Sequence, residues 1–378
     1  MKKSLTIMLI ICYFTISAQE NGKTDIKSLA PPNSPAFILM DISPSSIVVP
    51  DNIQVLAVQT LSAFSNENNT DSNFAIEFQP YWYTKNREVD FFEYNNYKSS
   101  KSKKNITNAF DYDRYDIFGD IGKKASISIA YTTGTFDVFE DNRSYISLGA
   151  KTRLIKVVRK NDLLNFKQAY DDYENIKTDP SIMAAVAAAQ AGQSLQAIKK
   201  EPLYKDLREK LWTAINKRPL LAIDIASAFS YSVGDENNIS DDSFGRFGLW
   251  LSADFAFPIT EDNKNYIHIF GVAKYLRDGL NINPQTNSSF ITTAYDYGTK
   301  IELELNKFSF AYEYLTRNNE NSEDENRSIG TFRYSINNLF AITGGFGENF
   351  SNESGNNIAL FGIQFGLDSG GTIGIPKL

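Results

Sequence analysis

The sequence predicts an all-β fold with a helical insert: a transmembrane, antiparallel, up-and-down β-barrel of about twelve strands. Three observations predict it. Apolar and polar residues alternate in segment after segment from about Asn73 to Leu367. The chain carries 27 Phe and 20 Tyr, yet its mean hydropathy is only −0.32. An export leader opens the chain, and no later stretch is long and apolar enough to be a spanning helix.

The alternation is clearest in Leu221-Ala-Ile-Asp-Ile-Ala-Ser-Ala-Phe229. Leu221, Ile223, Ile225 and Phe229 share one face; Ala222, Asp224, Ala226 and Ala228 share the other. One greasy face and one small or polar face, repeated, is the barrel pattern. Averaging the two faces explains the unremarkable hydropathy. The net charge of −7 and the absence of a basic face exclude a nucleic-acid partner.

The first element is residues 1–18. Lys2 and Lys3, an apolar run from Leu5 to Ile16 and the small Ala18 form a secretory signal, with cleavage expected after Ala18. Cys12, the single cysteine, follows a bulky Ile11 that disfavours a lipoprotein signal. Once Cys12 leaves, the mature chain has no disulfide, thiol nucleophile or thiolate metal site. Exported without helical spans, a membrane chain must be a closed barrel.

Residues 19–72 read as an N-terminal periplasmic or plug segment. Gln19 to Asn33 is a polar lead. Ser34 to Pro50 is apolar and broken by prolines, so it is expected to be extended and buried. In Asn52 to Phe64, Ile53, Leu56, Ala57, Thr60 and Leu61 keep helical spacing, with Asp51 as a cap. This segment is expected to be a helical plug, with a barrel strand as the alternative.

The barrel covers 73–367. Its first strand places Phe74, Ile76, Phe78 and Trp82 toward lipid and Glu77, Gln79 and Tyr81 inward. Further strands fall near Lys123–Asp137, Ser144–Val158, Pro219–Val233, Phe244–Phe257, Tyr266–Arg277, Thr292–Leu305, Lys307–Arg317, Arg327–Ile336, Leu339–Gly347 and Asn357–Leu367. Single-chain bacterial barrels have even strand counts, so this set is one short. The missing strand lies in Glu88–Ile121 or Asn52–Phe64.

Long polar loops at Gly234–Ser243, Asp278–Ser289, Asn318–Asn326 and Glu348–Asn356 alternate with short turns at Ile259–Asn265, Asn306 and Asn337-Asn338. Long loops outside and short turns inside place the C-terminus and the insert 160–217 in the periplasm. The insert carries three helical patterns. Asn161–Ile176 spaces Leu163, Leu164, Phe166, Tyr170 and Tyr173 helically. Ser181–Ile198 is rich in Ala and Gln. Leu203–Ile215 puts Leu203, Leu207, Leu211, Trp212 and Ile215 on one side. Such an insert is expected to close the barrel or dock a protein partner. Residues 368–378 form a tail.

The chain resembles a family of uncharacterised outer-membrane β-barrel proteins of Gram-negative bacteria. The resemblance rests on Ser34-Pro-Ala-Phe with Ser43-Pro44-Ser45-Ser46 and Pro50, on Ala75-Ile-Glu-Phe-Gln-Pro-Tyr-Trp82, and on Phe247-Gly-Leu-Trp-Leu251. It implies an outer-membrane barrel and brings no activity with it.

The inward faces concentrate charge: Glu77, Lys151, Arg153, Asp224, Arg246, Asp254, Lys274, Asp296, Lys300, Glu302, Glu304, Glu313 and Arg333. The neighbours facing lipid are Tyr295, Tyr297, Ile301, Leu303, Phe308, Phe310, Phe332 and Tyr334. A basic residue facing lipid at the midplane would cost roughly 2–4 kcal/mol, which sets the assignment. Such a lumen is either a polar conduit or a filled network of acids and bases.

His268 is the single histidine. A lipid hydrolase would use it with a Ser and an Asn, yet no serine-rich catalytic segment accompanies it. The acidic Asn318–Asn326 lacks the spacing of a cation loop. Lys98, Lys101, Lys103 and Lys104 form a basic run that reads as a solvated loop rather than a headgroup site. The glycine-rich Asp368–Gly374 precedes no helix and is no phosphate cradle. No catalytic residue, metal or cofactor is expected. The functional expectation is a porin-like channel or transporter of an undefined small solute. The alternatives are a non-conducting barrel subunit of a surface assembly and, less favoured, the hydrolase.

Overall fold

The computed structural model describes residues 34–41, 55–63, 73–81, 89–107, 109–134, 143–175, parts of 179–214, 217–233, 244–260, 265–283, 288–320, 323–336, 340–351, 357–368 and 373–374. Twelve strands form its closed wall. Numbering only these, they are β1 Val55–Ala63, β2 Asn73–Phe78, β3 Ser126–Gly134, β4 Arg143–Val157, β5 Leu221–Val233 and β6 Phe244–Pro258. There follow β7 Asn265–Asn283, β8 Ser288–Leu305, β9 Phe308–Asn319, β10 Glu325–Ser335, β11 Phe340–Ser351 and β12 Asn357–Asp368. Every neighbouring pair is antiparallel.

The wall closes at β1. It pairs with β12 from Val55↔Asp368 to Ala63↔Leu360 and with β2 from Ala57↔Glu77 to Leu61↔Asn73. This is the missing twelfth strand, and it corrects the helical plug expected at Asn52–Phe64. Val55-Leu-Ala-Val-Gln-Thr-Leu-Ser-Ala63 fits helical spacing in isolation. Two open sheet edges offer its backbone two full ladders, and that outweighs a weak local preference. The barrel therefore begins at residue 55 rather than 73. The alternative site, Glu88–Ile121, holds short pieces among its described residues: Val89–Asp90, the helix Phe91–Tyr94, the 3-10 turns Lys103–Asn105 and Ala109–Asp111, and the bridge Tyr97–Lys98 against Arg114–Tyr115.

Burial alternates along the strands as the pleat requires. In β5, Ala222, Asp224, Ala226, Ala228, Ser230 and Ser232 are buried, while Phe229, Tyr231 and Val233 lie open. The outer surface carries Leu251, Phe255, Ile269, Tyr295, Tyr297, Ile301, Phe310, Tyr312, Phe332 and Phe346, each at least 42% exposed. An exterior this apolar is that of a transmembrane barrel. Trp82 lies outside the described residues.

The long-loop hairpins are built more fully than the sequence suggests. β7 and β8 stay paired as far as Asn283↔Ser288, past a register shift at Asp278/Asn281, so most of the expected loop Asp278–Ser289 is strand. β9 and β10 likewise take in the two ends of 318–326, Asn318–Asn319 and Glu325–Asn326. At the opposite end, Asn306, with φ 54, makes a two-residue turn between Leu305 and Phe308; asparagine tolerates this left-handed conformation.

Both inserts leave the wall at this short-turn end and pack on each other. Helix Lys160–Asn175 presents Phe166, Tyr170 and Tyr173 to Phe92, Tyr97 and Tyr112 of the 79–125 connection, with Leu211 completing the cluster. Phe92 stacks on Tyr112 at 4.2 Å between ring centroids, and Tyr97 stacks on Phe166 at 4.6 Å. The first helical pattern of the insert is thus present. Leu203, Trp212 and most of Ser181–Ile198 lie outside the described residues. Lys98 and Lys101 pair with Asp116 and Asp111. In the tail, Ile373–Gly374 pairs in parallel with Val89–Asp90.

Thr60 sits mid-seam, opposite Ile363 on one side and Phe74 on the other. Proline there removes an amide that no water replaces. Thr60→Pro is expected to abolish the compact, heat-modifiable gel band of the folded barrel. An unchanged band would show that the seam does not depend on β1.

Candidate functional site: a filled and charged lumen

Ser34–Asp41 enters the lumen. The sequence predicts an extended segment here; Pro35–Ile38 is instead one helical turn, termed α1, and every residue from Ser34 to Asp41 is buried. Proline at the first helical position explains the turn, since it needs no amide there and its φ is already helical. Ser43 to Pro50 lies outside the described residues. Ala36 and Phe37 pack with Ala75, Ala130 and Leu360. Ile38 and Leu39 pack with Trp250, Phe270, Val272, Leu276, Leu315 and Phe350. Two wall glycines make room. A Cβ on Gly149 would lie 2.9 Å from the Ala36 amide and 3.0 Å from Pro35, and one on Gly248 would lie 3.0 Å from Leu39.

Asp41 adopts the left-handed region, with φ 56. Its carboxylate accepts from Arg246 Nη1 at 2.8 Å and lies 3.0 Å from Arg317 Nη1 and 3.3 Å from Lys274 Nζ. Its main-chain carbonyl accepts from Arg327 Nη1 and Asn349 Nδ2, each at 3.3 Å. The cations are shared with acids of the wall. Arg246 reaches Asp278 at 2.7 Å, Arg317 and Lys274 reach Asp296 at 2.7 and 3.3 Å, and Arg327 faces Glu313 at 3.5 Å. Phe350 lies 3.7 Å beneath the Arg317 guanidinium, and Trp250 lies 5.3 Å from Lys274 Nζ.

Toward the short-turn end the lumen holds separate pairs. Lys151 meets Glu77 at 3.0 Å, Arg153 meets Asp224 at 2.8 Å, and Lys300 meets Glu302 at 3.1 Å. His268 bridges Asp254 at 2.9 Å and Glu304 at 3.0 Å, and Arg218 meets Glu304 at 2.7 Å. Arg333 donates to Ser335 Oγ at 3.1 Å. Of the thirteen charged residues read from the sequence, Arg246, Lys274, Asp296 and Glu313 thus gather around Asp41, and the others are engaged locally along the wall.

Sequence reasoning missed Asp41, Arg218, Asp278, Arg317 and Arg327. Parity would have found three of them: Asp278 shares a face with Lys274, Arg317 with Glu313, and Arg327 with Arg333. Asp41 lies outside any periodic segment.

His268 has a carboxylate on each ring nitrogen and stacks on Phe270. A ring engaged at both nitrogens has none left to accept a proton from a serine hydroxyl, and it faces the lumen rather than lipid. The geometry gives no support to the hydrolase. His268→Leu leaves Asp254 without this partner and is expected to destabilise the barrel by about 3 kcal/mol or more. Urea unfolding followed by tryptophan fluorescence measures this; an unchanged midpoint would mean that the bridge carries no stability.

A second cluster ties the 79–125 connection to the wall. Lys123 Nζ donates to the Glu93 and Tyr94 carbonyls at 2.7 and 3.0 Å, and Asn96 Nδ2 donates to Asp120 at 2.8 Å. Burial pushes the Lys124 ammonium down to about 7 and Lys123 down to about 8, against the pull of Asp120 on both. Burial works to raise Asp120, but Lys156, Lys124 and Arg153 outweigh it and hold the carboxyl at about 2. Burial also raises Tyr94 and Tyr97 above the usual phenol range.

An unfolded lysine stays protonated to about pH 10.4. Between pH 7 and that value the unfolded connection therefore binds more protons than the folded one, and folding strengthens as pH rises. Above about pH 10 unfolded tyrosines ionise and the gain ends. Limited proteolysis within 91–124 is expected to slow several-fold between pH 7 and 9. Lys124→Met should flatten that response; an equally steep profile in the variant would place its origin elsewhere.

The wall and its contents define a transmembrane β-barrel whose lumen is filled by ion pairs and by its own N-terminal segment. A sequence profile for the baculovirus P24 capsid protein matches residues 238–292. That stretch starts just before β6 and ends early in β8, a small part of the wall, and it shows no family. No curated protein matches the chain. Among solved structures, the chain is similar to a NanC porin, with 8% identity, a TM-score of 0.37, and coverage of 82% of this chain and 100% of that one. The KdgM porin gives 8% identity, a TM-score of 0.34 and coverage of 82% and 98%. The β domain of the Bordetella autotransporter BrkA gives 6% identity, a TM-score of 0.35 and coverage of 83% and 98%. Likenesses at this level assign neither family nor solute.

Proposed function

We propose that the chain is an outer-membrane channel that rests closed, with Ser34–Asp41 as its plug. The observation that carries this reading is the mode of attachment. Among the described residues, Ser34–Asp41 occupies the lumen centre, and its Asp41 carboxylate is held by Arg246, Lys274 and Arg317. Among the described residues, no strand pairing holds this segment. Ion pairs exchange for water or for other ions when a path opens, whereas a hydrogen-bonded strand does not.

The leader at residues 1–18, outside the described residues, delivers the chain through the inner membrane, and the apolar exterior meets outer-membrane lipid. The long-loop end faces outward. The packed inserts then face the periplasm, where the helical unit that includes 160–217 offers a surface for a protein partner. The second reading is a non-conducting barrel subunit, favoured by the filled lumen and the joined inserts.

Planar-bilayer recording separates the two. The native chain is expected to be closed most of the time. Gly149→Val, which pushes on Pro35 and the Ala36 amide, and Asp41→Asn, which removes the charge, should each raise the open fraction roughly tenfold. That corresponds to about 1.4 kcal/mol of plug attachment. Folded barrels of both variants without conductance would sink the channel reading and leave the non-conducting one.

A further inference from the structure

We propose that Arg246, Lys274 and Arg317 form a carboxylate-binding subsite, and that Asp41 occupies it in place of the carboxylate of an anionic solute. The inference rests on the plugged-channel reading and adds a substrate class to it. Three observations carry it.

The first is charge. The ring supplies four cations from the wall, Arg246, Lys274, Arg317 and Arg327. The wall acids in direct ion-pair contact with them, among the described residues, are three, Asp278, Asp296 and Glu313, while Glu325, opposite Arg317 on the next strand, acts on Arg317 and Arg246 from farther off. The fourth negative charge in direct contact is Asp41, which belongs to no strand. Withdrawing the plug therefore removes the carboxylate on which Arg246, Lys274 and Arg317 all converge, in a buried space. Buried charge is costly alone, so an anion must follow when Asp41 leaves.

The second is geometry. Three donors converge within 3.3 Å of one carboxylate, and the side chains of all three are at most 11% exposed. Arg246 and Arg317 are fixed on their far sides by Asp278 and Asp296, and Arg317 also lies on Phe350. These supports stand in the wall whether or not Asp41 is present. A cradle held open by its own scaffold loses little entropy on binding.

The third is the place of the cradle in the barrel. β6, β7 and β9 supply its three cations from nearest-neighbour and next-nearest strands. It therefore lies on one side of the lumen, as a step along a path does, with aromatic rings of Trp250 and Phe350 beside the charges. The solute class is a small organic acid or acidic sugar, presenting a carboxylate to the arginines and a less polar face to the rings.

The test uses the full-length, refolded protein. Asp41→Gly removes the carboxylate, and glycine is at ease at a φ of 56. Sodium acetate is expected to raise its thermal unfolding midpoint by roughly 2–4 °C over sodium chloride at equal ionic strength. The native chain, with its cradle occupied, should show no acetate-specific rise, and neither should Asp41→Gly/Arg317→Leu. The proposal is overturned if Asp41→Gly responds equally to acetate and chloride, or if the double variant keeps the acetate response. Should Asp41→Gly fail to fold alone, its refolding yield in acetate against chloride gives the same decision, with an equal yield overturning it. The assay reads binding and not conductance, so a failed subsite is distinguishable from a failed channel: conductance by Asp41→Gly without an acetate response sinks only the subsite.

Discussion

The structure depends on one constraint: within a bilayer each backbone amide and carbonyl must find a partner in the protein. Eleven strands leave two edges open, and closing them takes a strand from upstream. Val55–Ala63 does this by pairing with the last strand on one side and with Asn73–Phe78 on the other. Its local spacing reads equally well as a helix, so the sheet edges decide its conformation. Closure then fixes what the barrel contains. Ser34–Asp41, upstream of β1, lies inside the lumen, and the charged faces of β2 and of β4 to β10 are brought to within ion-pair distance of one another.

The charged side chains of the described lumen are packed out of contact with solvent. Lys151, Asp224, Lys274, Asp296, Glu313 and Arg327 are all at most 3% exposed. Desolvation makes such charges costly, and mutual pairing recovers much of that cost only where each partner is present. The pattern of pairing is therefore more informative than the number of charges. Near the short-turn end, the pairs Lys151–Glu77, Arg153–Asp224 and Lys300–Glu302 are complete within the wall. Around Asp41 the wall is incomplete without the plug. One half of the lumen is built as a permanent filling, and the other half is built around an occupant.

Most of the wall is legible in the sequence because its signal is repeated. Period-two alternation locates eleven strands, and the requirement for an even number demands a twelfth. Inward parity by itself puts Glu77, Arg246, Lys274 and Asp296 on the lumen face. The signal fades at the strand ends, where polar residues such as Asp278 and Arg317 read as loop. The hairpins rise beyond the apolar band, and once outside lipid a strand need not show a greasy face. Asp41 is illegible for a different reason. It is a single acid in a proline-flanked segment with no period, and its role arises from contacts to residues more than two hundred positions away.

The connection between plug and seam adds a geometric consequence. Asp41 sits among Arg246, Asp278 and Arg317, close to the long-loop ends of their strands. Val55, where β1 begins, pairs with Asp368 at the short-turn end. Asp41 and Val55 therefore lie in opposite halves of the barrel. The attachment points differ in kind as well: a hydrogen-bonded seam at one end, and a carboxylate on three cations at the other. Under load, the charge pairs yield before the seam does, because ions and water can replace a salt bridge while nothing in lipid replaces a ladder amide.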